Sequence, residues 1–261
     1  MSGALRNLVP VAVGVAVLVF WEWAVAYYQM PVYLLPAPSD IWKAFLSGLP
    51  ELLSATWVTL RIVILAFVLA LISGVGLAII FSQSRIVEIA LYPYAIVLQV
   101  TPIISIAPLI VIWIGYDHIN TALLIMAWIV AFFPILANTN IGLRSADANL
   151  IDLFRLYGAS RWQILTRLQL PTSLPYLLGA LKVSGGLSLV GVIVAEFAAG
   201  TGNDTGIGWT LTEASHNLFI AKMFAALAIL SVLGVSIFFL LSALEWALLR
   251  RWHDSAIARQ K

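Results

Sequence analysis

Two stretches of this chain, Ile89–Ile114 and Ile119–Gly142, contain no charged residue at all. Each is longer than the roughly 20 apolar residues a helix needs to cross the hydrocarbon core of a bilayer. A chain that carries them nearly end to end is excluded from the water-soluble classes, because its backbone and side chains must be satisfied in lipid. Further spans are expected near Leu8–Tyr28, Thr56–Phe81, Ser173–Ala199 and Ile220–Leu249, the last uncharged from Met223 to Leu244. Composition agrees: 10% of residues are charged, against roughly a quarter in soluble domains. The expectation is an all-α, polytopic membrane protein of about six transmembrane helices, one domain over residues 1–261, with no separate soluble domain.

The first span has a second reading. Arg6, an apolar run and Ala24-Val25-Ala26 resemble a cleavable signal peptide, but the run is long and carries Trp21, Glu22 and Trp23, so an uncleaved span is expected. Orientation follows from lysine and arginine. Arg6, Arg85, Arg144, Arg155, Arg161, Arg167, Arg250, Arg251, Arg259 and Lys261 fall on one side, against Lys43, Arg61, Lys182 and Lys222. That bias predicts a multi-pass protein with both termini cytoplasmic, which needs an even number of spans. On the outer side, Leu34-Leu35-Pro36-Ala37-Pro38 reads as a stiff extended entry. Ser39 or Asp40 would then cap a short amphipathic helix carrying Ile41, Trp42, Phe45 and Leu49 in the headgroup region.

Leu143–Thr172 is the one long cytoplasmic loop, and it has a pattern of its own. Leu150, Phe154 and Tyr157 recur at helical spacing, with Ile151 and Leu153 alongside. Asp147 and Asp152 lie toward the start of the segment, where the helix dipole favours negative charge. Gly158 supplies a left-handed stop. Ser160 followed by Gln163 reads as a capping box that opens a second helix, which Leu170-Pro171 should break before span five. The result is a helix–glycine–helix elbow with an apolar ridge, too short to cross the bilayer. Such a ridge either lies on the membrane or the bundle, or docks into a groove on another protein.

In this loop Asp152-Leu153-Phe154, Gly158-Ala159-Ser160 and Leu168-Gln169-Leu170-Pro171 match the spacing of a known motif. The sequence resembles the coupling loop of binding-protein-dependent ABC importer permeases, in which Glu-Ala-Ala is followed by glycine and Ile-x-Leu-Pro. Asp152 stands for the glutamate, Leu153 and Phe154 for the two alanines, and Leu168 for the isoleucine. Trp21-Glu22, Leu34–Pro38, Thr59-Leu60-Arg61, Pro102–Pro108 with Trp113-Ile114-Gly115, and Ala195-Glu196-Phe197 fall in the order of the nitrate, sulfonate, taurine and pyrimidine or riboflavin branch. The resemblance covers nearly the whole chain. It implies a second permease copy (identical or a paralogue), two ATP-binding cassette ATPase subunits and an external solute-binding protein. Asp152, Leu153, Phe154, Tyr157, Gly158, Ala159, Ser160, Leu170 and Pro171 would then couple to the ATPases. ATP and Mg would sit on those partner chains, with no cofactor on this one.

Charges within spans are costly and usually face a bundle interior or a wet cavity. Lys182 and Glu196 share span five but lie about 21 Å apart along a helix. Glu196 reads as a wetted helix terminus or as a charge at an outer gate. Lys182 would snorkel, pair with Glu22 or Glu245, or line a solute path. Glu22 reads as an interface anchor that Arg61 could neutralise. Gln99, Thr101, Ser105, Asn138, Thr139 and Asn140 are either structural glue between helices or pathway groups, with Gln99, Thr101 and Asn138 the stronger pathway candidates. Pro93, Pro102, Pro108 and Pro134 should interrupt their helices.

No phosphate-cradling Gly-x-x-x-x-Gly-Lys-Ser/Thr run occurs, so ATP hydrolysis is not expected on this chain. Gly200, Gly202, Gly206 and Gly208 read as a flexible external loop. The chain has no cysteine, and His118, His216 and His253 lie far apart, so no metal site is expected. Nothing points to nucleic acid. A gradient-driven transporter or channel is the alternative, but the inverted repeat common in that class is not evident.

Overall fold

A computed structural model describes residues 3–199 and 206–250. Among the described residues every regular element is helical. Five helices are long and apolar enough to cross a membrane, or six where one sharply bent pair counts as a single span. The chain forms two compact units, Met1–Val58 with Asp204–Ser231, and Thr59–Asn203 with Val232–Lys261.

The first unit begins with α1 (Gly3–Tyr27). From Leu8 onward α1 is exposed on nearly every side, with Val11 62% and Phe20 66% accessible. An apolar helix so bare is stable only in hydrocarbon. A short helix α2 (Pro38–Ser47) follows, with Pro38 in its first turn where the missing N–H costs nothing. Its N-cap is Ala37, not Ser39 or Asp40. Ser39 instead donates its backbone N–H (3.0 Å) and its hydroxyl (2.8 Å) to the Glu22 carboxylate of α1. Glu22 thus satisfies one of the orphan donors of the α2 N-terminus from a neighbouring helix. Trp21 packs edge-on against Phe224, and Lys222 donates to Glu51 at 2.7 Å. The unit also contains α10 (Ile207–His216). Part of the expected glycine-rich loop is therefore ordered helix, because Ile207, Leu211 and Ala214 bury one face. Gly200 and Gly202 lie outside the described residues, as do His253, Arg251, Arg259 and Lys261 and the side chain of Arg6.

The division between the units falls within α3 (Leu49–Gln83) and α11 (Ile220–Leu249). α3 begins earlier than the apolar run, since Pro50 and Glu51 suit a first helical turn. In the second unit α4 (Arg85–Val100) is capped by Ser84, whose hydroxyl accepts from the Val87 N–H. α5 (Ile103–Ile114) leaves α4 at 102°. The cause is Pro102, which forces Thr101 into the extended region (φ −65°, ψ 123°). Pro93, Pro108 and Pro134 do not interrupt anything; each sits inside a continuous helix that tolerates one missing N–H.

α6 (Ile119–Arg144) and α9 (Leu170–Ala199) form the antiparallel centre of this unit. Small residues let them approach: a Cβ on Gly191 would stand 2.9 Å from Ala127 Cα, and one on Gly142 2.9 Å from Ser173 Cα. This is how helices associate where lipid removes the hydrophobic drive between them. Phe81, Ile135, Leu136, Leu143, Leu165 and Leu249 fill the core around the pair.

Candidate functional sites: the elbow and the buried polar groups

Between α6 and α9 stands the elbow. α7 (Ala148–Leu156) starts on Asp147, whose carboxylate accepts from the Asn149 N–H at 2.8 Å. It ends on Gly158, at φ +71°, a conformation that costs glycine nothing. There the Ala159 N–H donates to the Phe154 carbonyl and the Gly158 N–H to the Arg155 carbonyl, both at 2.9 Å. These are the two bonds of a Schellman stop. Ser160 and Gln163 then form the reciprocal capping box that opens α8 (Arg161–Ile164).

The expected break at Leu170-Pro171 does not occur. A wide π-turn over Leu165–Gln169 joins α8 directly to α9, so one helical path runs from Arg161 to Ala198. Pro171 cannot donate an N–H, and the wide turn immediately before it absorbs the mismatch.

Leu153, Phe154, Tyr157, Gly158, Ala159, Gln163 and Arg167 line a cleft of about 330 Å³ inside the elbow. Phe154 and Ile151 turn partly inward, while Leu156 and Tyr157 are each 85% exposed and Trp162 67%. The bare apolar surface is thus centred on Leu156, Tyr157 and Trp162. Leu156 and Trp162 were not evident as surface groups from spacing alone. Asp152 is exposed and, among the described residues, pairs only with Arg155 of its own helix, at 3.1 Å, an arrangement worth little in water. Ser160 and Gly158 shape the turn, and Leu170 and Pro171 belong to α9 rather than to the tip.

Four of the five pathway candidates have a hydrogen-bond partner, and each partner is different. Lys182 donates to Glu245 of α11 at 2.6 Å, one of the pairings that composition left open. Glu196 is no wetted terminus: it is 1% exposed and accepts from the Thr59 hydroxyl at 2.7 Å. Its apolar neighbours Val192 and Ala195 are fully buried, so the carboxylate lies on a packed face of α9, although Phe197 and Ala198 just beyond it are exposed. Gln99 is exposed beside the α4–α5 bend, and Thr101 donates back to the Val97 carbonyl at 2.7 Å. Asn138 donates to the Pro134 carbonyl of its own helix at 2.8 Å, so it does not bridge helices.

One polar cluster lay outside the sequence reading. Glu88, in the first turn of α4, is 7% exposed and accepts from Arg85 (2.8 Å), from Asn140 of α6 (3.2 Å) and from Arg144 at the end of α6. From sequence, Arg85 and Glu88 resemble an ordinary solvated pair one turn apart. No local signal announces that residues more than fifty positions away enclose the carboxylate. Among the described residues no three metal-ligating side chains converge.

A helical bundle with one broken span and a capped elbow between its two central helices has the fold of ABC-transporter membrane subunits. Solved structures agree: a chain of an amino acid ABC transporter superposes with a TM-score of 0.63 over 79% of this chain and 96% of that one, at 16% identity. The MetNI methionine ABC transporter in an inward-facing conformation gives 0.63 over 75% and 95%, at 18% identity. Residues 66–250 match the binding-protein-dependent transport system inner membrane component family, and the chain belongs to it. It is a multi-pass permease, a transport subunit of the ABC importer class. Among curated relatives, the chain is 34% identical to a riboflavin transport system permease of Chloroflexus aurantiacus, over 91% of this chain and 87% of that one. It is 31% identical to a formylaminopyrimidine transport permease of Halalkalibacterium halodurans, over 95% and 98%. A third relative, a putative aliphatic sulfonates transport permease of Bacillus subtilis, is 29% identical over 97% and 89%.

Proposed function

We propose that this permease pairs with a second copy, identical or paralogous, and sits on two cytoplasmic ATPase subunits that bind ATP and Mg. The reading puts both termini and the elbow in the cytoplasm and an external solute-binding protein on the opposite face. Asp152, Leu153, Phe154, Tyr157, Gly158, Ala159 and Ser160 would present the elbow to an ATPase groove, with Leu170 and Pro171 leading its motion into α9. Closure of the ATPases on ATP would rock the spans between outward and inward access. The observation that carries the reading is the bare ridge of Leu156, Tyr157 and Trp162, whose apolar area gains most when a groove covers it.

The solute under this proposal is a small organic molecule or oxyanion of the sulfonate, nitrate, pyrimidine or riboflavin type. Two relatives above 30% identity carry names of heterocycle transporters, which favours riboflavin or a pyrimidine within that set. The uncharged walls of α4, α5 and α6 beyond Glu88 suit a weakly charged solute. Lys182, Glu196, Gln99, Thr101 and Asn138 are the pathway candidates, of which Gln99 beside the bend is the most open.

The test is co-purification of the tagged ATPase with the permease, wild type against Leu156→Ser/Trp162→Ser. Loss of the ATPase from a variant that still inserts is the expected result; undiminished capture overturns the reading. Calorimetry of the accompanying binding protein with riboflavin, formylaminopyrimidine and taurine then fixes the solute class.

A further inference from the structure

We infer that Glu88 is the positioning residue through which movement of the elbow reaches the bent α4–α5 pair, an inference that rests on the proposed coupling role of the elbow. α4 is held to its unit by few buried groups. Of its sixteen residues only Glu88 and Ala95 are buried. Ile86 is 81% exposed, Tyr94 69% and Val100 73%. Tyr92 packs between Phe81 and Phe133, and Val87 and Ala95 meet the core, so apolar contacts hold one face of α4. Glu88 is the buried polar attachment of its first turn.

That attachment leads to a single place. Asn140 and Arg144 lie one turn apart on the last turns of α6, and α7 begins at Ala148. Between them Gly142 presses on Ser173 of α9, which fixes the end of α6 to the start of the helix that leaves the elbow. Leu143 and Leu165 are fully buried at the same level. The end of α6, the π-turn and the start of α9 form one packed base. α7 joins it through residues 145–147, which follow Arg144 directly, so a displaced α7 pulls on the turn that carries Arg144. The Asn140 Nδ2 donates to Glu88, and among the described residues its buried Oδ1 has no hydrogen-bond partner, so Glu88 is the amide's one side-chain partner there.

The Glu88 carboxylate is buried while the Arg144 side chain is 45% exposed, and replacing both members of such a pair with apolar side chains of similar size is often close to neutral for stability. If the cluster served stability alone, leucine at both positions would replace it without functional loss. If it transmits force, a soft apolar contact would let α4 slip. The two roles thus separate in the variant Glu88→Leu/Arg144→Leu.

The chain has no native cysteine, so spin labels can be placed freely. In the complete importer in nanodiscs, labels at Ile89→Cys and at Asn149→Cys are each paired with a label at Val235→Cys. Distances are measured without nucleotide and with ATP, Mg and vanadate. In the otherwise unsubstituted protein both pairs should change on trapping. In Glu88→Leu/Arg144→Leu the α7 pair should still change, whereas the α4 pair should lose more than half of its shift. Glu88→Gln, which keeps an acceptor for Asn140 and Arg144, should fall between. Full α4 movement in the double variant overturns the inference. An α7 pair that stays still even without the Glu88 substitutions overturns the coupling role of the elbow, and this inference with it.

Discussion

Gly142 of α6 lies so close to Ser173 of α9 that a Cβ at position 142 would stand 2.9 Å from both the Cα and the Cβ of the serine. Both residues are buried where α6 hands the chain to the elbow and α9 receives it back. The nearest atoms include backbone, which cannot rotate away. Gly142→Val should therefore push the two helices apart and destabilise the fold by about 1–3 kcal/mol, the range for overpacked sites. Thermal unfolding in detergent, compared with Gly76→Ala where open space surrounds the glycine, checks the expectation. Equal melting temperatures would mean that α6 and α9 are not clamped here.

Gly158 carries a different constraint. Nothing lies near its missing Cβ, so space is not the issue; its φ of +71° is. A left-handed residue costs an L side chain about 1–2 kcal/mol, and asparagine less than most. A β-branched residue pays most, since both γ-branches crowd the backbone. Gly158→Asn should keep the elbow and its function, while Gly158→Val should unseat α8 and lower transport per ATP hydrolysed without affecting membrane insertion. Uptake assays on the reconstituted importer rank the two. Equal uptake by both variants would remove the turn from the mechanism.

The elbow was legible because its signals are local. The glycine stop and the Ser160–Gln163 reciprocal cap lie within six residues, and both form as the spacing predicts. The long apolar runs were legible because lipid imposes a length and an absence of charge. What stayed hidden depends on distant partners. Glu88 is buried by Asn140 and Arg144, and Glu196 by packing that includes Thr59 of another helix. Proline misled for the same reason. Its cost to a helix is fixed, but whether a π-turn, as before Pro171, or a neighbouring helix absorbs it is decided by packing. Leu156, the most exposed apolar side chain of the elbow with Tyr157, sat beside the predicted ridge because the inward face of α7 is set by the cleft that Leu153 and Phe154 share with Gln163 and Arg167.

At the other short helix, the Glu22 carboxylate takes the place of a local cap. Losing an N-cap acceptor typically costs about 0.5–2 kcal/mol, and here the effect should be confined to α2 because the contact is exposed. Glu22→Ala should accelerate hydrogen exchange at Ser39 and its neighbours in the first turn of α2, leaving α1 unchanged. Exchange followed by mass spectrometry on peptides covering residues 37–47 reads this directly. Unchanged protection at Ser39 would mean the first turn holds without α1.

Lys182 and Glu245 face each other at 2.6 Å with side chains 18% and 17% exposed, within helices that cross the membrane. Removing one partner leaves the other charge stranded in a medium that solvates it poorly. That loss costs about 3–5 kcal/mol, whereas replacing both with apolar residues of similar size is often neutral. Lys182→Met and Glu245→Leu should each lower the melting temperature markedly, and the double variant should recover most of the loss. The interaction free energy from the cycle measures how far the pair stabilises the fold, and uptake by the double variant separates a structural pair from a conducting one. If the pair only fastens α9 to α11, the recovered double variant transports normally. If Lys182 also meets the solute, stability returns but uptake does not.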